Sequence, residues 1–136
     1  MARSVLVDSN VLLDIATADP VWGTWSAETL AALADEAEIL INPVIYAEVS
    51  VGFDRIEELD AALPDSFFVR TSLPYPAAFL AGKAFWKYRR LGGARTSPLP
   101  DFYIGAHAAI AGLRLLTRDT RRYRTYFPSV ELVAPP

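Results

Sequence analysis

The stretch Ser4-Val5-Leu6-Val7-Asp8-Ser9-Asn10-Val11-Leu12-Leu13-Asp14-Ile15-Ala16 decides the fold. Ser4 to Val7 reads as a buried strand: its core is continuously apolar and β-branched, the pattern of a strand covered on both faces, as in parallel sheets. Asp8-Ser9-Asn10 breaks that run with short polar side chains that turn or cap a chain, and Val11 to about Ala16 reads as a helix. In an open sheet built from such units, ligands bind outside the carboxyl ends of the strands, which is where Asp8 stands.

The alternation continues along the chain. Thr24 to Glu38 spaces Trp25, Leu30, Ala32, Leu33 and Ala37 at roughly helical intervals with acids between them, an amphipathic helix. Ile39-Leu40-Ile41 is a second strand. Asn42-Pro43 starts the next helix, Asn as cap and Pro at the first position, and puts Glu48 in its second turn. Asp54-Arg55-Ile56-Glu57 has the spacing of a capping pair, and Pro64 ends that helix. A Phe67-Phe68-Val69 strand follows, then a helix from Pro76 through Leu91 that Gly92-Gly93 terminates. Thr96-Ser97-Pro98-Leu99-Pro100 is a constrained loop delivering Asp101 onto the first turn of a helix that reaches about Leu113. Leu115-Leu116-Thr117 and Val130 to Val133 are the last strands. The expected class is α/β: one domain over residues 1–136, three layers α/β/α around a central, mainly parallel sheet.

A chain of 136 residues can bury roughly two-thirds of its unfolded surface around one core. It has no cysteine, which excludes disulfides, thiolate zinc sites and cysteine nucleophiles and fits a reducing cytosol. Asp8, Asn10 and Asp14 interrupt the first apolar run too early for a signal-peptide core, and no uncharged run reaches the roughly 18 residues of a membrane helix, so a cytoplasmic protein with no membrane partner is expected. The net charge of -3 hides an asymmetry. Residues 1–69 carry two basic side chains against thirteen acids, a balance of -11, and residues 70–136 carry eleven against three, a balance of +8. Such a split suits a polyanion or an acidic partner meeting the carboxy-terminal half, although charge runs are more often solvated helix faces.

Asp8, Glu48, Asp101 and Asp119 are the candidate functional residues. Each has an ordinary explanation. Asp8, Asp101 and Asp119 stand at helix starts, where a carboxylate caps free amides and meets the positive end of the helix dipole; Glu48 could be a surface residue. Their conjunction is what points to a site, because three of the four adjoin strand ends and would share one edge of the sheet. Carboxylates packed together repel until a hard cation neutralises them. Val44 and Ile45 before Glu48, and Val49, Val51 and Phe53 after it, set it at the margin of a buried face. Ser9, Asn10 and Thr117 supply small polar groups suited to orienting metal ligands or their waters.

Four segments then carry a resemblance: Val5-Leu6-Val7-Asp8-Ser9-Asn10-Val11-Leu12-Leu13-Asp14, Asn42-Pro43-Val44-Ile45-Tyr46-Ala47-Glu48, Asp101-Phe102-Tyr103-Ile104-Gly105-Ala106-His107-Ala108 and Leu115-Leu116-Thr117-Arg118-Asp119. In this order and at this length they resemble the acidic motifs of PIN-domain ribonucleases, and the tail Tyr123-Arg124-Thr125-Tyr126-Phe127-Pro128 resembles the VapC-like toxin branch. The resemblance implies an endoribonuclease toxin with a cognate antitoxin and an RNA substrate, assembled as a homodimer. It also implies Mg²⁺ or Mn²⁺ at the four acids, with Asp8 and Asp101 as principal ligands, Asp119 a ligand direct or through water, and Glu48 a second-metal ligand or water-orienting base. Phosphodiester hydrolysis needs a deprotonated water and neutralised phosphoryl oxygens, and metal ions supply both without a cysteine or histidine.

His107, the single histidine, sits in a helix of small apolar residues and reads as a packed, hydrogen-bonded imidazole. Lys83, Lys87 and Arg90 share a helix face, and with Arg89 and Arg95 are candidates for phosphate contact; Phe85 and Trp86 read as core. Arg118, Arg121, Arg122 and Arg124 crowd near Asp119, where they would hold RNA or stay exposed. Ser9, Asn10, Arg118 and Arg95 are thus the substrate-contact candidates. The rival readings are a DNA-directed nuclease, a phosphohydrolase and a non-catalytic binding module whose acids are caps. The aspartyl-phosphate type is disfavoured, because Asp8-Ser9-Asn10 lacks a second Asp two residues on.

Overall fold

The computed structural model describes residues 3–96 and 99–136. Ser97 and Pro98 of the loop before Asp101 therefore lie outside the described residues. Five short strands, β1 (Val5–Val7), β2 (Ile39–Ile41), β3 (Phe68–Arg70), β4 (Arg114–Leu116) and β5 (Leu132–Val133), form one sheet in the order β3-β2-β1-β4-β5. Every pairing is parallel. Parallel strands need crossovers, which the helices supply: α1 (Ser9–Ala16), α2 (Gly23–Ala34), α3 (Pro43–Ser50), α4 (Ile56–Ala62), α5 (Tyr75–Arg90), α6 (Pro100–Ala111) and α7 (Arg121–Tyr126). The result is the expected three-layer α/β/α arrangement.

β1 is central and fully buried, as its unbroken Val5-Leu6-Val7 run requires. Val5 registers with Ile39 on one side and Arg114 on the other. From β1 the chain winds outward through β2 and β3, then crosses back to β4 and β5, so the direction of winding reverses between β1 and β4. The carboxyl ends of that pair are the switch point where open α/β sheets place their ligands. Asp8 and Thr117 follow these two strand ends, locked together by the Asp8 amide donating to the Leu116 carbonyl at 2.8 Å.

Local signals fix several helix boundaries. Asn42 caps α3 through its side-chain oxygen, which accepts from the Ile45 amide at 2.9 Å, with Pro43 in the first turn. Gly112 ends α6 with φ +65° and Gly92 follows α5 with φ +95°, left-handed conformations that cost other residues more. Gly105 lies under the ring of Phe127, where a Cβ would overlap the ring.

Several expectations are corrected. Asp54 does not cap α4: Arg55 holds the cap position and no side chain bonds the free amides. β3 runs one residue later than expected, since Phe68 is the buried ring and Phe67 is exposed. Ala32 is exposed, so the buried stripe of α2 is Ser26, Leu30 and Leu33. Trp86 is 58% exposed and not core; the Arg90 guanidinium lies 4.7 Å from its ring centre. Helix α7 is the one that Asp119 is expected to start, but the sequence sets no bounds for it, because six residues, three of them arginine, show no apolar period. Among the described residues no helix is long and apolar enough to cross a membrane.

Candidate active site

Asp8 is 3% exposed and occupies the cap position of α1, yet its side chain makes no cap bond. Its Oδ2 is instead the focus of hydroxyl donors. Thr117 Oγ1 donates to it at 2.8 Å, Tyr123 Oη at 2.8 Å, and the Asn10 amide stands at 3.4 Å. Oδ1 has Ser9 Oγ at 3.5 Å and no nearer donor among the described residues. Burial is the main force on this carboxyl, and the charges of Asp101 and Glu48 add to it, while the Tyr123 and Thr117 bonds oppose it; the net result is a pKa raised to about 6.

Glu48, on the second turn of α3, is half-buried and accepts the Ser9 hydroxyl at 2.8 Å. Its carboxyl is pushed up by burial and by the charge of Asp101, against the Ser9 bond. Asp101, on the first turn of α6, is also pushed up, first by burial and then by Asp119, while Arg122 at 3.4 Å opposes the shift. Asp119 is exposed in the turn after β4; its amide donates to Thr117 Oγ1 at 3.1 Å and its carboxylate stands 3.4 Å from the Arg121 amide at the start of α7. The four acids are therefore close enough to raise one another's proton affinity in a chain: Glu48 and Asp101 act on Asp8, Asp101 on Glu48, and Asp119 on Asp101.

Tyr123, on α7, is buried between two of them, bonded to Asp8 and 3.4 Å from Asp101 Oδ1. Its phenol is held well above its ordinary pKa by burial and by these charges, so it is a donor only. One phenolic proton cannot serve two carboxylates fully, which leaves a local excess of negative charge. Among the described residues, no three His, Cys, Asp or Glu side chains are arranged to hold a metal ion as they stand. The donor set nevertheless fits Mg²⁺ or Mn²⁺ held by one or two carboxylates with water completing the shell, since these ions take oxygen ligands and keep several waters.

The PIN-domain family pattern matches residues 5–128. The chain belongs to the PIN-domain family. No curated protein sequence matches it. In fold it is similar to a chain of VapBC2 from Rickettsia felis bound to a DNA fragment from their promoter, with 17% identity, TM-score 0.75, and 98% of this chain and 99% of that one covered. It is likewise similar to a chain of DNA-bound VapBC from Salmonella typhimurium, with 17% identity, TM-score 0.71 and 98% coverage of each. A chain of a toxin-antitoxin complex from Klebsiella pneumoniae shares 22% identity at TM-score 0.70, over 97% of this chain and 98% of that one. PIN domains are nucleases, and this PIN fold brings its four acids to the switch point of the sheet.

The remaining candidates divide. Ser9 and Asn10 sit among the acids: Ser9 joins Asp8 to Glu48, and Asn10 links Asp8 to Thr117 and accepts from the Arg118 amide at 3.4 Å. Arg118 points elsewhere. Its Nε donates at 2.7 Å to Asp14, which is 3% exposed and also accepts from Ser26, so its guanidinium fastens the β4–α7 turn to α1. Arg95 lies in the exposed loop after α5; its carbonyl accepts from Arg89, and its guanidinium bonds none of the four acids among the described residues. His107 is the packed imidazole expected: the Asn42 amide, oriented by its capping oxygen, donates to Nδ1 at 3.0 Å, and burial lowers its pKa. Sequence reading missed Tyr123 and Asp14 as functional supports, whereas it placed Arg122 among the arginines near Asp119. The available signal for Tyr123 was its spacing, four residues after Asp119 and so one helical turn away.

Proposed function

We propose that this PIN-domain protein is the toxin of a toxin–antitoxin pair, a metal-dependent endoribonuclease that hydrolyses RNA phosphodiester bonds using Mg²⁺ or Mn²⁺. The observation that carries the reading is Asp8: a buried carboxylate at the sheet's switch point, unused as a helix cap, with Asp101 and Glu48 raising its proton affinity and no cation bonded to it among the described residues. The helix-start explanation keeps Asp101 in the first turn of α6 and the 3.4 Å approach of Asp119 to the Arg121 amide.

Asp8 and Asp101 would be the principal ligands, Asp119 a ligand direct or through water, and Glu48 a second ligand or the group that orients the attacking water. The metal supplies charge neutralisation at the phosphoryl oxygens and a water of lowered pKa. Thr117 and Tyr123 hold Asp8 Oδ2 fixed, leaving Oδ1 as the oxygen turned to the site. Ser9 fixes Glu48 beside it. Arg122 is placed to meet a phosphate once Asp101 is otherwise neutralised.

Likeness in fold to chains of VapBC and toxin-antitoxin complexes supports a cognate antitoxin as partner. A second copy in a homodimer is proposed on the resemblance to VapC-like toxins. The proposed compartment is the cytoplasm. The test is cleavage of RNA by purified protein with Mn²⁺, with EDTA, and by Asp8→Asn and Asp101→Asn. Metal-dependent internal cuts that both substitutions abolish support the reading; undiminished cutting in EDTA or in either variant overturns it.

A further inference from the structure

Beside the acids, between α5, α6 and α7, lies a half-open cavity of about 400 Å³, within the roughly 300–1,000 Å³ range of ligand pockets. Asp101, Asp119, Arg121 and Arg122 line it together with the rings of Tyr88 and Tyr126. Both rings are half-buried, with centres 6.4 Å apart at 64°. They are seated from behind: Tyr126 packs edge-on against buried Phe102 at 5.3 Å, and Tyr88 against the same ring at 5.5 Å. Lys87 stands 5.8 Å from the Tyr126 ring centre, adding positive charge. Arg121 is exposed and in none of the ion pairs among the described residues.

We propose that this cavity receives a nucleobase of single-stranded RNA next to the scissile phosphate, stacked on Tyr126 with Tyr88 bounding it from the side, and with Arg121 and Arg122 on the adjoining phosphates. Flat aromatic walls joined to guanidinium groups suit a ligand that is itself a ring joined to a phosphate. An acidic peptide offers the charge without the ring. The inference rests on the RNA-cleaving reading for its substrate and adds the wall that positions that substrate. Stacking of this kind tolerates any base, so Tyr126 sets affinity and register along the strand.

The experiment titrates a short unstructured RNA carrying 2-aminopurine into Asp8→Asn protein, and into the same protein bearing Tyr126→Phe or Tyr126→Leu, following fluorescence quenching. Quenching kept by Tyr126→Phe and affinity reduced about tenfold by Tyr126→Leu supports the site. Quenching that never occurs, or that Tyr126→Leu leaves intact, overturns it. Should Tyr126→Leu fail to fold, the exposed Arg121→Glu carries the test: weaker binding with a shallower salt dependence supports the site, and unchanged binding overturns it. Wild-type cleavage separates the two claims. Metal-dependent cutting without stacking removes only the cavity's role; stacking without cutting removes only the nuclease reading.

Discussion

Two aspartates on the first helix, Asp8 at its cap and Asp14 in its body, are equally buried at 3% exposure and fare differently. Asp14 is answered by a guanidinium at 2.7 Å and by Ser26 at 3.0 Å; its charge is matched and it serves as a fastening. Asp8 is answered by hydroxyls and faces other carboxylates, so burial raises its pKa to about 6. Neighbours, not burial, decide which acid is structural and which is left needing a cation.

The sharpest way to break this contrast is to neutralise each acid in turn. Asp8→Asn should lower metal-dependent RNA cleavage by more than about 100-fold, beyond the 10–100-fold typical of groups that merely orient a metal ligand. Asp14→Asn should leave cleavage detectable and act on stability. Steady-state assays with Mn²⁺ on both variants check this, and equal activity losses would erase the distinction.

Titration gives the next largest effect. A carboxyl whose folded pKa is raised stabilises the fold below its unfolded pKa, and that contribution is lost as pH rises through the folded value. For Asp8 the window is from about pH 4 to about pH 6, with a magnitude on the order of 3 kcal/mol from the shift to about 6. Glu48 and Asp101 shift in the same direction and add to it. Metal-free protein should therefore lose stability across that window in urea melts at stepped pH, and Asp8→Asn should flatten the slope.

Asp14→Asn should cost about 2 kcal/mol. Removing one partner of a fully buried pair typically costs about 3–5 kcal/mol, but Arg118 keeps a third of its side chain exposed and can turn to water. The loss should be independent of metal and visible as a lower urea midpoint with unchanged slope.

The contrast was half legible in the sequence. Val5-Leu6-Val7 running straight into Asp8 revealed a parallel strand with an acid at its carboxyl end, because a strand buried on both faces leaves an uninterrupted apolar run. Asn42-Pro43 fixed the start of α3 and hence where Glu48 sits, because capping is local chemistry. The pairing of Asp14 with Arg118, 104 residues apart, was hidden, since a contact across a sheet leaves no local pattern. For that reason Arg118 looked like a phosphate contact. Tyr123 was hidden twice, in a six-residue helix too short for periodicity and in a bond that closes only when the chain returns to β1. Trp86 misled in the other direction, an aromatic at helical spacing that faces water beside Arg90.

The smallest expected effect separates acids within the site. Metal at about ten times its dissociation constant should stabilise the fold by roughly 1.4 kcal/mol, a rise in melting temperature of about 3 to 6 °C for a domain near this size. Neutralising an acid relieves the same repulsion without metal, so Asp8→Asn and Asp101→Asn should both melt higher than wild type in EDTA and gain little from Mn²⁺. The relief should be smaller at Asp101, because Arg122 already offsets part of its charge at 3.4 Å whereas Asp8 has neutral donors alone. A helix-cap role forecasts the opposite sign, since removing a capping charge destabilises a helix by up to about 1 kcal/mol whatever the metal concentration. Thermal melts of the three proteins with EDTA and with Mn²⁺ decide it: an Asp101→Asn protein that melts below wild type in EDTA and responds to Mn²⁺ like wild type would take Asp101 out of the site and return it to the first turn of α6 as a cap.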